Sequence, residues 1–435
     1  MWNRFKELET HWKILISLLL AVVAGYIAGK DAAILGVTFN QMFAFIGALF
    51  LQALKMLIVP LVFSSIIVGV AGIGSGPDIG RLGGKTLVFY LISSLFAILI
   101  GLTVVNYIEP GLIDGEPVKD KIGLQVETSS FSEKVEGRGA GDVVDVFLRM
   151  IPTNIVAAAA EGQMLGLIFF SLLFGYFMTT ISKDHAITQK HFWNGIFETM
   201  MKITDLVMRF APLGVFGLVA KVVSDIDPAG EPEKFLNLIE TLGWFAFSVL
   251  LALALHILMT LPLILKYVAK IQHPYRHHKA MSPALLTAFS TASSSATLPV
   301  TMDCVEKNAG VSNKTSSFVL PLGATVNMDG TALYECVAVI FIAQAYGLDL
   351  SVAQQFTIVL VALLTSIGVA GIPSASLVAI TIILAAIGLP MEAVGLIIAV
   401  DRILDMCRTS VNIFSDSCAA VVIAKLQGEK GILSK

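Results

Sequence analysis

Long apolar runs separated by short polar or charged stretches dominate the chain. They predict eight membrane-spanning helices near residues 13–30, 40–73, 86–108, 143–182, 193–225, 235–269, 314–346 and 391–425. A helical span needs about 20 apolar residues, and a long run accommodates by tilting. Span 143–182 is interrupted at Pro152 and at Glu161-Gly162-Gln163. Two further apolar stretches behave differently. Residues 281–308 are split at Ser293, Ser294 and Ser295, ahead of Pro299, and residues 352–388 are split between Ser366 and Pro373. The halves are about 10–14 residues, too short to cross alone, so both stretches predict re-entrant helical hairpins. A third interruption, Asn327-Met328-Asp329-Gly330-Thr331, lies inside an apolar run and predicts an unwound turn. Such backbone is tolerated at membrane depth only where it is buried in protein or lines a cavity. The expected fold is an all-α polytopic membrane protein with eight transmembrane spans and two re-entrant hairpins.

Composition agrees with this pattern. Of 435 residues, 56% are hydrophobic and only 14% charged, which excludes an ordinary soluble multidomain protein. A net charge of −3 gives no reason to expect a nucleic-acid partner. The four cysteines, Cys304, Cys336, Cys407 and Cys418, lie in or near apolar segments without metal-site spacing and read as small buried hydrophobes. The first apolar run reads as a retained span, not a signal peptide. Arg4, Lys6 and Lys13 place the N-terminus inside, as do Arg81 and Lys85 for their loop. The acidic loops 109–142 and 225–233 fall outside. The strongest inside marker is Lys266, Lys270, His273, Arg276, His277, His278 and Lys279, whose histidines read as part of a solvated loop. Lys425 and Lys430 put the C-terminus inside too, and the expected location is a plasma (inner) membrane. The two hairpins then enter from opposite sides, each followed by a span carrying polar residues, which is inverted-repeat logic with alternating gates.

Chemistry concentrates in the last span. Asp401, Asp405, Arg408, Thr409, Asn412 and Asp416 recur at spacings that place them on one helical face. A charge at membrane depth costs about 2.5 kcal/mol or more, so such a stripe faces protein or a wet cavity. Arg408 offers a planar fork for a carboxylate and Asp405 a site for an ammonium, which together describe an acidic amino acid. The competing reading is a buried structural salt bridge from Arg408 to Asp405 or Asp401. Asp329 and Asp416, with Asn327, Asn412 and carbonyls freed at Gly323, Gly330 and Gly368, form a hard-oxygen set suited to a hard cation. Ser293, Ser294 and Ser295 offer hydroxyls and N–H groups at a half-helix start, although serine-rich turns are common. Glu335, one turn past Thr331, is either a proton carrier or a satisfied hydrogen-bonding residue. Tyr90, Ser93 and Ser94 in the third span read, on their own, as helix-packing hydroxyls.

These residues resemble the dicarboxylate/amino acid:cation symporters, a family that includes archaeal aspartate transporters and animal excitatory amino acid transporters. The resemblance covers nearly the whole chain. Its most specific motifs are Ser293-Ser294-Ser295, Asn327-Met328-Asp329-Gly330-Thr331, Ala370-Gly371-Ile372-Pro373 and the set Asp405, Arg408-Thr409, Asn412, Asp416. Archaeal members of this same family are known instances of the inverted-repeat logic. The resemblance implies a lipid-embedded homotrimer working as an elevator. Scaffold spans would occupy 1–85 and 143–226, the transport domain 86–110 and 235–435, and an extracellular loop 111–142, with the second hairpin as outer gate. It implies that Arg408 holds the substrate side-chain carboxylate near Thr331, that Asp405 holds the amino group, and that Asn412 and the serines hold the α-carboxylate. Gly371 and Thr409 complete that set. One Na⁺ would sit at Asp416, Asn412, Asn327 and the Gly323 carbonyl. A second would sit among the carbonyls of Thr325, Ser366, Ile367 and Val369, near Met328. A third would use Tyr90, Ser93 or Ser94, Asn327 and Asp329, which reassigns the third-span hydroxyls to function.

Glu335 matches proton-coupled animal and bacterial members, so H⁺ coupling and K⁺ counter-transport are implied possibilities. Two positions depart from the family. Ala292 stands where archaeal members carry arginine and Met406 where animal members do, which points to Arg402 as the extra arginine. The expected function is secondary active symport of L-glutamate or L-aspartate with Na⁺ and H⁺. Na⁺ is then a co-transported ion and the protein is not an enzyme. The alternatives are a proton-coupled glutamate or C4-dicarboxylate symporter without Na⁺ and, further off, an anion channel. A neutral amino acid carrier would leave Arg408 unpaired. An intramembrane aspartyl protease would need an aspartate dyad on adjacent spans, and the sequence shows no such signature.

Overall fold

A computed structural model describes residues 10–29, 32–34, 36–71, 77–122, 148, 151–161, 164–226, 232–366 and 375–433. These residues are mostly helical. The helices are α1 (Thr10–Ala28), α2 (Phe39–Ala71), α3 (Pro77–Ile108), α4 (Val118–Ile122), α5 (Ile155–Ala160), α6 (Met164–Met178), α7 (Lys183–Arg209), α8 (Ala211–Ile226) and α9 (Pro232–Leu255). After a π-helical turn (His256–Thr260) follow α10 (Leu261–Tyr267), α11 (Arg276–Thr291), α12 (Ser294–Asp303), α13 (Asn313–Val326), α14 (Asp329–Ala345), α15 (Val352–Ser366), α16 (Ala375–Ile387) and α17 (Ile398–Leu426). Among the described residues the only strands are two antiparallel two-residue pairs, Ala33–Ile34 with Val37–Thr38 and Leu112–Ile113 with Glu116–Pro117.

One group of packed helices is α1, α2, α6, α7 and α8. Small residues let α8 lie close on its neighbours. A Cβ on Gly217 would fall 2.7 Å from the Gly47 nitrogen, and one on Gly25 would fall 2.7 Å from the Ala220 carbonyl oxygen. A second group surrounds α14, which packs against α3, α9, α15, α16 and α17. Every residue of α14 except Gln344 is buried, as its apolar composition on all sides requires. By contrast α3 exposes Val88, Leu91, Leu95 and Leu99, a helical stripe suited to lipid.

Four helical stretches among the described residues are long and apolar enough to cross a membrane: Leu82–Ile108, Pro232–Tyr267, Asn313–Ala345 and Ile398–Leu426. The expected span 193–225 contains two helices that meet at Phe210 and together are long and apolar enough for one bent span, and its first helix begins earlier, at Lys183. The third-span helix also begins earlier than expected, at Pro77. In the expected break inside 314–346, Asn327 and Met328 leave helical geometry, with φ/ψ of −112°/93° and −121°/63°. Gly330 lies in the first turn of α14, so it does not belong to the unwound stretch. Helices α11 and α12 fold back on each other at Ala292, which takes left-handed geometry at φ 49°. Helices α15 and α16 likewise pack together, flanking residues 367–374, which lie outside the described set.

Candidate functional site

The charged stripe of α17 folds onto itself. Arg408, 1% exposed, donates from Nε (3.2 Å) and Nη2 (2.9 Å) to Asp405 Oδ1, and from Nη1 (3.0 Å) to Asp401 Oδ1. Its guanidinium carbon lies 4.0 Å from the Tyr334 ring centroid, a cation–π contact, and the Tyr334 hydroxyl donates to the same Asp401 oxygen at 3.0 Å. Arg402 is buried as well and donates from Nη1 to Asp405 Oδ2 at 3.3 Å. Asp405 is therefore clamped between two arginines. Of the two readings open at the sequence level, the ion pair is the one the structure contains.

Opposite this cluster lies the break between α13 and α14. Asn327 Nδ2 donates to Asp416 Oδ1 (2.9 Å) and to Ser415 Oγ (3.1 Å). Asp329 Oδ1 accepts from Ser94 Oγ at 2.6 Å and from Ser93 Oγ at 3.3 Å, while Ser93 also lies 3.3 Å from Asn327 Oδ1. Asp329 Oδ2 accepts from Ser415 Oγ at 2.6 Å and faces His256 Nε2 at 3.0 Å. Tyr90, on α3, donates to the Val319 carbonyl at 2.7 Å. Gly323 is where α13, Asp416 and Tyr90 converge, because a Cβ there would lie 2.5 Å from Asp416 Oδ1 and 2.9 Å from the Tyr90 hydroxyl. The Gly323 carbonyl itself accepts from Asn327 N at 2.9 Å. Carboxylate, amide and hydroxyl oxygens thus gather where three helices meet, a donor set for a hard cation and not for a soft one.

Asn412 caps the start of α14. Its Oδ1 accepts from the backbone N–H of Gly330 (2.8 Å) and Thr331 (3.2 Å), and its Nδ2 donates to Thr331 Oγ1 at 3.0 Å. These are helix-terminal donors that otherwise need a partner. Thr409 donates to its own helix at the Asp405 carbonyl. Helix α12, which begins with Ser294, packs against α13 and α17. Ser293 caps it by accepting from Ala296 N, Ser294 is buried, and Ser295 is exposed. Thr325 bonds back to Leu322, and Met328 packs on Ala379 of α16. Ser366 bonds back to Leu363 at the end of α15. Ile367, Val369 and Gly371 lie outside the described residues, as does Gly368. Glu335 is fully buried and accepts from Thr365 Oγ1 at 3.0 Å.

Sequence reasoning missed several partners. His256, Ser415 and Tyr334 read as isolated polar residues in apolar helices, and only their contacts with Asp329 and Arg408 give them a role. His273 is exposed in a loop, as expected, but His277 and His278 require a correction. His277 is fully buried, with Nε2 2.7 Å from Ser417 Oγ, and His278 Nε2 lies 3.0 Å from the Ile257 carbonyl. Both rings rest against Phe414. Helix α11 starts at Arg276 and packs along α17, so these residues belong to a helix face and not to a solvated loop.

Residues 11–426 match the sodium:dicarboxylate symporter family. The chain is 36% identical over 433 residues to the proton/sodium-glutamate symport protein of Bacillus caldotenax, covering 98% of this chain and 96% of the relative. It is 34% identical over 417 residues to the proton/glutamate-aspartate symporter of Escherichia coli (strain K12), covering 95% and 92%. It is 35% identical over 467 residues to excitatory amino acid transporter 3 of Mus musculus, covering 98% and 87%.

Proposed function

Because the chain belongs to the sodium:dicarboxylate symporter family, we propose that it takes up acidic amino acids, L-glutamate or L-aspartate, by symport with Na⁺ and H⁺. The observation that carries this reading is the buried Asp405–Arg408 pair on α17 beside the Asn412–Thr331 bond at the start of α14. An acidic amino acid offers a carboxylate to replace Asp401 and Asp405 on Arg408, and an ammonium to replace the arginines on Asp405. Its α-carboxylate then falls to Asn412, to the first turn of α14 with Thr331, and to the serines of α12. Asp401, Asp405, Arg402 and Arg408 sum to zero charge, so an entering substrate of net −1 leaves an uncompensated buried charge. Na⁺ among Tyr90, Ser93, Ser94, Gly323, Asn327, Asp329, Asn412 and Asp416, and near Thr325, Met328 and Ser366, compensates it. Glu335 carries the proton. The names of the similar proteins, which are proton/sodium-glutamate and proton/glutamate-aspartate symporters, support the substrate and both coupling ions.

We read the eight spans and two re-entrant hairpins as the membrane architecture, with α11–α12 and α15–α16 as the hairpin arms. The close packing of α1, α2, α6, α7 and α8 on one another supports their role as a scaffold, against which the group around α14 moves as an elevator within a plasma-membrane homotrimer with cytoplasmic termini. K⁺ counter-transport fits the same scheme.

The test is uptake of labelled L-glutamate and L-aspartate into proteoliposomes, with an inward Na⁺ gradient and an inward proton gradient imposed separately. Saturable uptake that requires Na⁺ supports the reading. Uptake driven by protons alone moves the protein to the proton-coupled branch, and an unsaturable current moves it to a channel.

A further inference from the structure

Thr365 sits one residue from the end of α15, 2% exposed, with its hydroxyl between three acceptors. Oγ1 lies 3.0 Å from Glu335 Oε2, 2.8 Å from the Val361 carbonyl and 3.1 Å from the Ala362 carbonyl. Glu335 is fully buried on α14, and its other oxygen, Oε1, has no partner among the described residues. A hydroxyl carries one proton, so it satisfies one acceptor at a time while its lone pairs stay open to a donor. We propose that Thr365 is a positioning residue for the transported proton: its hydroxyl reads whether Glu335 is ionised and passes that state to the backbone of α15. This inference rests on the reading of Glu335 as the proton carrier.

An ionised Glu335 is acceptor-only, so Thr365 must donate to it, and the charge makes that bond the stronger choice. The Val361 and Ala362 carbonyls then lose the hydroxyl. A protonated Glu335 instead donates its own O–H to Thr365 Oγ1, and the Thr365 proton turns to Val361. One proton bound on α14 thereby reverses a short hydrogen-bond chain that ends on the last turn of α15. Threonine bonding back to the carbonyl four residues earlier bends a helix, so the two states favour different geometry there. The charged group that acts on Glu335 from a neighbouring element is Arg408 on α17, and Cys336 flanks it on α14. Helices α15 and α16 carry no ionisable residue. The ionisable residues of α9 are Glu233, Lys234 and Glu240, near its start, and α3 brings Tyr90 to the Asp416 and Asp329 side of α14.

The experiment is Na⁺-driven uptake of labelled L-glutamate into proteoliposomes over a pH series, for the unaltered protein, Thr365→Val, Thr365→Ser and Glu335→Gln. Valine keeps the shape and removes the donor to the ionised carboxylate, so the pH midpoint should rise by about one unit. Serine keeps the hydroxyl and should restore the original midpoint. Glu335→Gln should flatten the profile. An unshifted midpoint in Thr365→Val, or an equal shift in Thr365→Ser, beside a flat Glu335→Gln profile, overturns the role of Thr365 and leaves Glu335 as the carrier. An unchanged profile in Glu335→Gln overturns both. If Thr365→Val gives no uptake, the pH dependence of L-glutamate binding to the purified variant is read by the same criterion.

Discussion

Asn327 Nδ2 and Asp416 Oδ1 are joined by a 2.9 Å hydrogen bond that ties the extended residue between α13 and α14 to the middle of α17. The amide holds the carboxylate beside Gly323 while leaving its second oxygen to other partners. Asp416→Asn keeps the size and removes the charge. It should abolish the Na⁺ requirement of acidic amino acid binding, together with most uptake, as read from substrate binding across a Na⁺ titration.

Gly323 tests the same site sterically. Its missing Cβ is the space taken by the Asp416 carboxylate and the Tyr90 hydroxyl, so Gly323→Ala should displace both and cut Na⁺-driven uptake by about tenfold or more. Gly243→Ala is the control, since nothing lies within 4 Å of a Cβ there, and uptake should be unchanged.

His256 holds one oxygen of Asp329 from the π-helical turn that follows α9. A partner of this kind orients a ligand without touching the ion. His256→Ala should raise the Na⁺ concentration for half-maximal uptake by about tenfold or more, with little change in the maximal rate at saturating Na⁺.

Arg408 neutralises two buried aspartates. Arg408→Gln should therefore lose acidic substrates and destabilise the protein without substrate by about 3–5 kcal/mol, because Asp401 and Asp405 stay buried without the cation that bridges them. Thermal unfolding in detergent reads the second effect independently of transport. Arg408→Lys should not rescue binding, since one ammonium cannot span Asp401, Asp405 and the Tyr334 face.

Beyond the end of α17, the C-terminal tail is clasped by Glu429. Its Oε1 accepts from Ser312 Oγ and Thr315 Oγ1, both at 2.6 Å, and its Oε2 from Ser312 N at 2.9 Å. Partial burial pushes this carboxyl up, but the bonds from Ser312 and Thr315, aided by Lys314, outweigh it and hold the value below the ordinary 4.5. The ionised form is thus favoured in the folded protein. The clasp is fully stabilising above that ordinary value and is lost as pH falls through the lowered one. Hydrogen exchange of residues 427–433 should accelerate in acid, and Glu429→Gln should exchange fast at every pH.

Part of this was legible in the sequence. Asn327, set in an apolar run beside Met328 and Asp329, marked the helix break, because polar side chains and irregular backbone at membrane depth need each other. The spacing from Asp401 to Asp416 marked a single face for the same reason. Asp401 and Asp405 were legible as partners of Arg408, but not the choice of role, since at seven and three residues away they satisfy both a salt bridge and a shared binding site. His256 meets Asp329 across 73 residues of chain, a pairing that no local pattern encodes. The basic flank of His277 disguised a buried helix face. Hydropathy placed the start of α3 too late, because its first turns are helical without being apolar.

In the proposed cycle the Asp405–Arg408 pair opens for an acidic amino acid only with Na⁺ present. Calorimetric binding of L-glutamate and of its neutral isostere L-glutamine to the purified protein, in Na⁺ and in choline, tests it most directly. L-glutamate should bind in Na⁺ alone, and L-glutamine in neither salt. Equal binding of the two, or L-glutamate binding undiminished in choline, would contradict it.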